Sequence, residues 1–281
     1  MAAAVVGEGP VWAGYSYRRP YAAQTYANRE RIDVLEIVAD HFFSAGRDGL
    51  RELDLLAEHF ILLPHGLDLS LGSADGLNES YLLRFAEIVR RSRAPWWSEH
   101  VAFTRAAGVS IGHLAPLPFT REALDVLASN LARARRVIGD IPCLLENIAA
   151  PLELAGAEMD EANFLAALVE RTGCGLLLDV ENLHANALNF GFDVERYLDA
   201  LPARAVVQLH LAGGDWNGAT YVDSHARAVH EAVWRLTERV CARFPVRAIV
   251  VERDEQMPPF DALLAEIERA RTIARGAVAC R

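Results

Sequence analysis

Lysine is absent from the 281-residue chain, so neither a Schiff-base lysine nor the phosphate-binding lysine of a P-loop is available. Cysteine is scarce, with four residues and no Cys-x-x-Cys pair, which is typical of reduced thiols in the cytosol. No apolar run approaches the roughly 18 residues of a transmembrane helix, and the N-terminus lacks the basic region of a signal peptide. We therefore expect a cytoplasmic protein that does not span a membrane.

Positive charge is also in short supply. The chain has 28 Lys+Arg against 38 Asp+Glu, for a net charge of −10 with histidine neutral. Because no basic block is present either, we expect no binding to nucleic acid or to an anionic membrane surface. Hydrophobic residues make up 52% of the chain, which is enough for a substantial core.

Eight short apolar segments predict buried strands, and most are continuous, as in parallel strands covered on both faces. Helical stretches lie between them and begin at capping residues such as Asn78, Thr120 and Asp160. This alternation over about 250 residues predicts a single (β/α)8 TIM barrel, an α/β fold. The rival doubly wound sheet usually carries a Gly-x-Gly-x-x-Gly turn, which is missing. We expect one domain over residues 1–281, with the barrel from about 11 to 275 and strands at 11–17, 32–38, 60–63, 95–101, 141–146, 175–180, 205–211 and 246–252.

The strongest functional signal is that seven predicted strands carry His, Asp or Glu at or near the carboxyl end. In a parallel barrel these ends meet at one mouth, where barrel enzymes have their active sites. Asp223 and His225 are two residues apart, so we expect both on one side of an extended segment. The loop 212–218 is expected to belong to the same site. The seven strand-end residues are Glu36, His65, His100, Glu146, Asp179, His210 and Glu252.

Each of these residues has a structural alternative when it is taken alone. A strand-end histidine such as His210 is more often satisfied within a core, and a salt bridge explains Glu36 equally well. In the segment Ser98-Glu99-His100 only one face of the strand points inward. We expect His100 inside the barrel and Glu99 outside.

Taken together, the carboxylates require a different explanation. Glu146, Asp179, Asp223 and Glu252 would place about four acids in one mouth, where an unpaired buried carboxylate is prohibitively costly. Few arginines stand at matching positions, whereas two or three divalent cations that share a bridging carboxylate would balance the charge. Histidine and carboxylate donors suit iron, manganese or zinc, with coordination positions left open.

Seven motifs along the chain resemble those of the DUF692 family, the multinuclear non-heme iron-dependent oxidative enzymes. The resemblance extends in order from about residue 12 to about residue 275, with matching spacing. Any one motif is weak, but seven in sequence are specific. The motifs are His65-Gly-Leu-Asp-Leu-Ser-Leu-Gly-Ser73, Ser98-Glu-His100, Leu145-Glu-Asn147, Leu176-Leu-Leu-Asp-Val-Glu-Asn182, His210-Leu-Ala-Gly213, Asp223-Ser-His225 and Glu252-Arg-Asp254.

This resemblance implies a xylose-isomerase-like barrel that oxidises a ribosomally synthesised precursor peptide, at a cysteine or another C-terminal residue. It implies two to three iron ions with O2 as co-substrate. Because few residues lie outside the barrel, a separate peptide-recognition partner protein, or the precursor's own leader, would deliver the peptide. The implied iron ligands are His65, His100, Glu146, Asp179, Asn182, His210, Asp223, His225 and Glu252. Those implied to be catalytic are His65, His100, Glu146, Asp179, His210 and Glu252.

The sequence departs from the family pattern at a few positions. Gly214 stands where many members have a histidine, and Glu181 replaces the first of two adjacent asparagines. Ala226 replaces a glycine. These changes leave the implied ligand set intact but affect the expected substrate and the occupancy of a third metal site. We hypothesise that His184 compensates for the missing histidine.

Three other functions remain open. A metal-dependent sugar isomerase or epimerase usually needs a lysine or a comparable acid–base pair, and this chain has no lysine. A metallophosphodiesterase would need a basic track for the phosphate backbone, which the net charge disfavours. A non-catalytic metal-binding or scaffold protein is the third alternative.

Overall fold

The structure, a computed structural model, describes residues 9–279. Its strands are β1 (Trp12–Ser16), β2 (Val34–Val38), β3 (Ile61–His65), β4 (Trp97–His100), β5 (Phe103–Ala106), β6 (Val109–Ala115), β7 (Cys143–Glu146), β8 (Gly175–Asp179), β9 (Val206–Leu211), β10 (Asp215–Asn217), β11 (Thr220–Val222) and β12 (Ala248–Val251). Eight of them run parallel and close into a barrel in the order β1-β12-β9-β8-β7-β4-β3-β2. The predicted (β/α)8 barrel is confirmed.

Helices surround this barrel, and their predicted starting points are confirmed. The side chain of Asn78 accepts hydrogen bonds from the first turn of its helix, and those of Thr120 and Asp160 do the same. The last helix begins directly after the Pro258-Pro259 pair. The α-helices are α1 (Ala22–Ala27), α2 (Gly46–His59), α3 (Glu79–Arg91), α4 (Arg121–Ile138), α5 (Glu161–Thr172), α6 (Val180–Phe190), α7 (Val194–Ala200), α8 (Glu231–Arg243) and α9 (Phe260–Ala279).

Two antiparallel hairpins were not anticipated from the sequence. β5 pairs with β6 through Ala107 and Gly108, and both of these residues have positive φ, as a tight type I′ turn requires. β10 pairs with β11, so the segment 212–218, expected to be an irregular loop, contains a strand. Both hairpins follow barrel strands at their carboxyl ends. Their strands are short and partly exposed, so their hydrophobic pattern is weak.

Side chains that point into the barrel are apolar toward the amino ends of the strands and polar at their carboxyl ends. An interior cluster includes Val34, Leu63, Leu144, Leu177 and Val250. Because successive side chains alternate between faces, the residue two positions further along also points inward. Those residues are Glu36, His65, Glu146, Asp179 and Glu252. Strand alternation alone therefore brings five of the predicted site residues to one mouth.

Cys143 lies in the core as its strand position suggested, and Cys174 is also buried. Cys280 lies outside the described residues, and so do residues 1–8, on which the absence of a signal peptide was judged. Among the helices within residues 9–279, none has the length and apolar composition needed to cross a membrane.

Candidate metal centre

The polar residues at the carboxyl end of the barrel meet in one cluster. Ligand atoms of His65, His100 and Glu146 lie within 4.8 Å of one another. Three further groups in the described part of the chain meet the same distance limit. The four groups overlap, because four residues each belong to two of them. The three groups are Glu36–His210–Glu252, Glu146–Asp179–His210 and Asp179–His225–Glu252, and the shared residues are Glu146, Asp179, His210 and Glu252.

Glu146 lies at the centre of this cluster. Its Oε2 is 3.5 Å from Nε2 of His65 and 3.5 Å from Nε2 of His100. Its Oε1 is 3.2 Å from Nδ1 of His210. One oxygen thus faces two histidines and the other faces a third, an arrangement suited to a carboxylate that bridges two metal ions.

His225 lies at the solvent side of the cluster. Its Nδ1 is 3.5 Å from Oε2 of Glu252, and its Nε2 is 3.9 Å from Oδ2 of Asp179. The same Nε2 is 2.8 Å from Oδ2 of Asp223. The expectation of an extended segment is wrong, because His225 has a φ of +50°. A bend of the chain, rather than strand alternation, brings this pair together.

Two of the histidines are held by residues of β4. Nδ1 of His65 lies 2.8 Å from Oγ of Ser98, and Nδ1 of His100 lies 3.0 Å from Oε1 of Glu99. Glu99, which was expected outside the barrel, belongs to none of the four groups, but it is buried and also accepts a hydrogen bond from the backbone N–H of Leu69. The segment after β3 covers it there. Because Nδ1 of each ring is occupied, Nε2 of each ring faces Glu146.

Glu36 is fully buried and is joined to the cluster through His210. Its Oε2 lies 2.6 Å from Nε2 of His210. The salt bridge considered for Glu36 therefore has a histidine as its partner. The other ring nitrogen of His210, Nδ1, lies 3.1 Å from Oε2 of Glu252 and near Glu146.

Six buried oxygens of the cluster lack a hydrogen-bond partner among the described residues. Each unsatisfied group costs about 1–3 kcal/mol, and more when it is charged. Protonation cannot satisfy them all, because each added proton is a donor that needs an acceptor of its own. Divalent cations would pair with such oxygens directly, so the donor set fits a metal centre. The six atoms are Oε1 of Glu36, Oε2 of Glu146, Oδ2 of Asp179, Oε2 of Glu181, Oδ1 of Asn182 and Oδ1 of Asp223.

The electrostatics of the cluster show that its acids exceed what its histidines neutralise. Burial raises the pKa of Glu146, but the His210 and His100 rings lower it to about 2. Burial lowers the pKa of His100, but Glu146 and its other acidic neighbours raise it to about 9. Burial and the nearby Asp223 raise the pKa of Asp179 well above its usual value. The metal-free cluster therefore holds protons that bound cations would displace.

Arg18 is the arginine that reaches this mouth. Its guanidinium lies 3.7 Å from Oε1 of Glu252 and also pairs with Asp254. In the part of the chain that the structure describes, no second arginine forms an ion pair with a predicted ligand. One guanidinium carries too little charge to neutralise the carboxylates gathered here.

Glu181 is a buried acid that was not among the predicted ligands. Its Oε1 accepts a hydrogen bond from the Tyr221 hydroxyl at 2.8 Å. Burial raises the pKa of Glu181 to about 7. The signal in the sequence that could have identified Glu181 as a site residue is its place between Asp179 and Asn182, in the first turn of α6.

The ring of His184 lies 5.6 Å from that of Tyr221. His184 belongs to none of the four groups, so its role as a ligand stays a prediction.

Comparison with known sequences agrees with the family resemblance of the seven motifs. The family model described as RiPP precursor modification enzyme MbnB/TglH/ChrH matches residues 12–275. A UPF0276 protein from Caulobacter vibrioides is 38% identical over 259 residues, which is 92% of each chain. A UPF0276 protein from Rhizorhabdus wittichii is 39% identical over 246 residues, covering 86% of this chain and 87% of the relative.

Solved structures share the fold at low sequence identity. A putative xylose isomerase from Rhodospirillum rubrum has a TM-score of 0.59 at 12% identity, covering 95% of this chain and 99% of its own. Endonuclease IV from Thermus thermophilus has a TM-score of 0.58 at 18% identity, with coverages of 96% and 100%. These similarities confirm the predicted xylose-isomerase-like barrel, and at such identities they bear on the fold alone.

Proposed function

Because the chain belongs to the MbnB/TglH/ChrH family of enzymes that modify the precursors of ribosomally synthesised peptides, we propose that it oxidises such a precursor with iron and O2. The observation that carries this proposal is the set of four overlapping ligand groups, together with the six unsatisfied oxygens in and beside them. The residue oxidised would be a cysteine or another C-terminal residue.

Two to three iron ions would occupy the cluster, and when bound they would supply the oxidative chemistry, with O2 as co-substrate. Histidine and carboxylate ligands suit iron, and overlapping groups allow neighbouring ions to share a ligand. The ligands would be His65, His100, Glu146, Asp179, Asn182, His210, Asp223, His225 and Glu252.

The protein's own contribution is geometric. Ser98 and Glu99 orient two imidazoles so that Nε2 of each faces Glu146. The low pKa of Glu146 keeps this carboxylate ionised, as a ligand must be. Its neighbour Asn147 ties two strand ends together, because its side chain bonds to the backbone N–H and C=O of Asp179. The ligands therefore need little rearrangement when a substrate binds.

Exposure indicates the side from which a peptide would approach. The side chains of His210 and Asp179 are fully buried, whereas those of His225 and Asp223 are 13% and 12% exposed. The peptide residue to be oxidised would therefore enter past His225. We further propose that a separate recognition protein, or the leader of the precursor, holds the rest of the peptide.

The test is metal analysis after anaerobic purification, followed by oxygen uptake with the peptides encoded near the gene. We expect two to three iron atoms per chain, oxygen consumption only with the cognate peptide, and a mass change on that peptide. Glu146→Gln should lose iron and activity, whereas Glu158→Gln, at an exposed position, should retain both. Iron-free protein that epimerises sugars or cleaves DNA with another metal would refute the proposal in favour of the alternatives.

A further inference from the structure

A hydrogen-bonded chain of side chains leads from the apolar interior of the barrel to His210. The indole Nε1 of Trp96 donates to Oε1 of Gln208 at 2.7 Å. Nε2 of Gln208 donates to Oε2 of Glu36 at 2.7 Å, and the same oxygen lies 2.6 Å from Nε2 of His210. All four side chains are fully buried.

The direction of this chain is set at its far end. An indole N–H can only donate, so the Gln208 amide must turn its oxygen toward Trp96. Its NH2 group then points at Glu36, which must accept. Gln208 Nε2 and His210 Nε2 lie 3.3 Å apart, and the Glu36 oxygen between them accepts from both.

The consequence for His210 is a defined tautomer. When a metal binds, Nδ1 would lose its proton, the proton on Nε2 would stay donated to Glu36, and the lone pair of Nδ1 would be directed to the side of Glu146 and Glu252. The other two strand histidines each have one direct partner, Ser98 for His65 and Glu99 for His100. The Nε2 side of His210 is instead held by three residues in series.

We propose that Trp96 and Gln208 are positioning residues that act through Glu36 to hold Nδ1 of His210 toward the metal centre. This inference rests on the proposed function in one respect, which is that the group bound by His210 is a metal ion. Among the described residues the Trp96 side chain forms no hydrogen bond with a predicted ligand; its ring stacks on Trp12 at a centroid distance of 5.5 Å. Its role in the site is transmitted through the amide of Gln208.

The energetics of burial support a functional role for this hydrogen-bonded chain, called the relay, which runs from Trp96 through Gln208 and Glu36 to His210. An amide and a carboxylate in an apolar barrel interior are costly unless they are paired, and a hydrophobic residue at 208 would avoid that cost. In the relay the indole N–H of Trp96 and one N–H of the Gln208 amide each have an acceptor, so the amide has one favourable orientation. Removing the indole N–H would leave Oε1 of Gln208 without its donor, so the amide would lose one of the two hydrogen bonds that fix its position against Glu36.

Trp96→Phe tests this, and Trp97→Phe is the matched control. Both indoles are fully buried at adjacent positions, but Nε1 of Trp97 has no hydrogen-bond partner among the described residues. We expect iron to be lost to a chelator about tenfold faster from Trp96→Phe than from wild type. The visible absorption of the Co2+-loaded protein should also change in Trp96→Phe. In Trp97→Phe both properties should match wild type.

A second measurement needs no metal. In the metal-free protein, Gln208→Met should move the indole N–H proton resonance of Trp96 upfield, because its acceptor is gone, and should leave that of Trp97 in place. Equal metal-release rates in the two phenylalanine variants would overturn the proposal, as would an unmoved Trp96 resonance. If wild-type protein bound no metal, the proposed function would fail, and the resonance would still decide whether the relay exists.

Discussion

A Cβ atom added at Gly214 would lie 2.6 Å from Oε1 of Glu181 and 2.4 Å from the backbone oxygen of Val222. Two of the three positions expected to depart from the family pattern therefore occupy one place: the space that a side chain at 214 would need holds the Glu181 carboxylate and the β10–β11 hairpin. Tyr221 hydrogen-bonds the same carboxylate oxygen. In this arrangement a histidine at 214 cannot fit beside Glu181.

The first prediction follows from this contact. Gly214→Ala should lower the free energy of unfolding by about 1–3 kcal/mol, because the backbone oxygen of Val222 cannot move without disturbing the hairpin. Thermal unfolding measures the effect. Gly276→Ala is the control, since no described atom lies within 4 Å of its added Cβ and alanine favours the exposed helix. Equal melting temperatures for Gly214→Ala and wild type would contradict this account of the pair.

Asp179→Asn should have opposite effects on the metal-free and metal-loaded protein. Burial and Asp223 raise the pKa of Asp179 in the folded protein. The stability of the metal-free protein therefore falls as the pH rises from the pKa of Asp179 in the unfolded chain through its pKa in the folded protein. At neutral pH the asparagine variant should therefore melt higher than wild type in the presence of a chelator. With metal added the order should reverse, because a ligand is lost.

The control for that comparison is Asp193→Asn, which replaces the capping residue of α7 away from the cluster. Asp179 and Asp193 both accept a backbone N–H at a helix start, and asparagine can do the same. Asp193→Asn should leave the stabilisation by metal unchanged. A metal-dependent shift equal to wild type in Asp179→Asn would count against Asp179 as a ligand.

Metal binding should release protons and strengthen with pH. The pKa of His100 in the metal-free protein is about 9, because Glu146 and its other acidic neighbours outweigh the effect of burial. A histidine must be neutral to bind a metal, so affinity should rise between pH 7 and 9 by about tenfold per unit for each proton released. Calorimetry in two buffers with different ionisation enthalpies counts the protons. Glu99→Gln should move this window to lower pH, and an affinity that stayed flat across it would refute the assignment.

Glu161 predicts a separate pH effect away from the cluster. It lines a cavity of about 410 Å³ at the start of α5, and burial raises its pKa to about 7. Stability should therefore fall as pH rises from about 4.5 through 7, because the folded state binds this proton more tightly. Glu161→Gln should be more stable than wild type at pH 8 by about 2 kcal/mol and no more stable at pH 4. Urea unfolding across pH measures this, with Glu153→Gln, an exposed residue of the same cavity, expected to follow wild type.

Much of the barrel was predictable because its signals are local. Short apolar segments, most of them continuous, marked all eight barrel strands, and capping side chains such as Asn78 marked helix starts. The hairpins escaped because Ala107-Gly108 and the short β10 strand carry little hydrophobic pattern. The contact of Glu99 with His100 was not predicted, because alternation shows which way a side chain points from its strand and not whether another segment buries it.

By itself, the sequence determined which residue types stand at the strand ends, since a period of two and a parallel barrel bring such positions to one mouth. Only the tertiary structure decided which atoms meet: which nitrogen of His210 faces Glu146, how a bend at His225 turns it toward Asp223, and that Glu181 fills the space beside Gly214. These contacts join segments far apart along the chain, such as Trp96 and Gln208, which are 112 residues apart. Their geometry depends on how whole strands and loops pack, and no local pattern of residues contains that information.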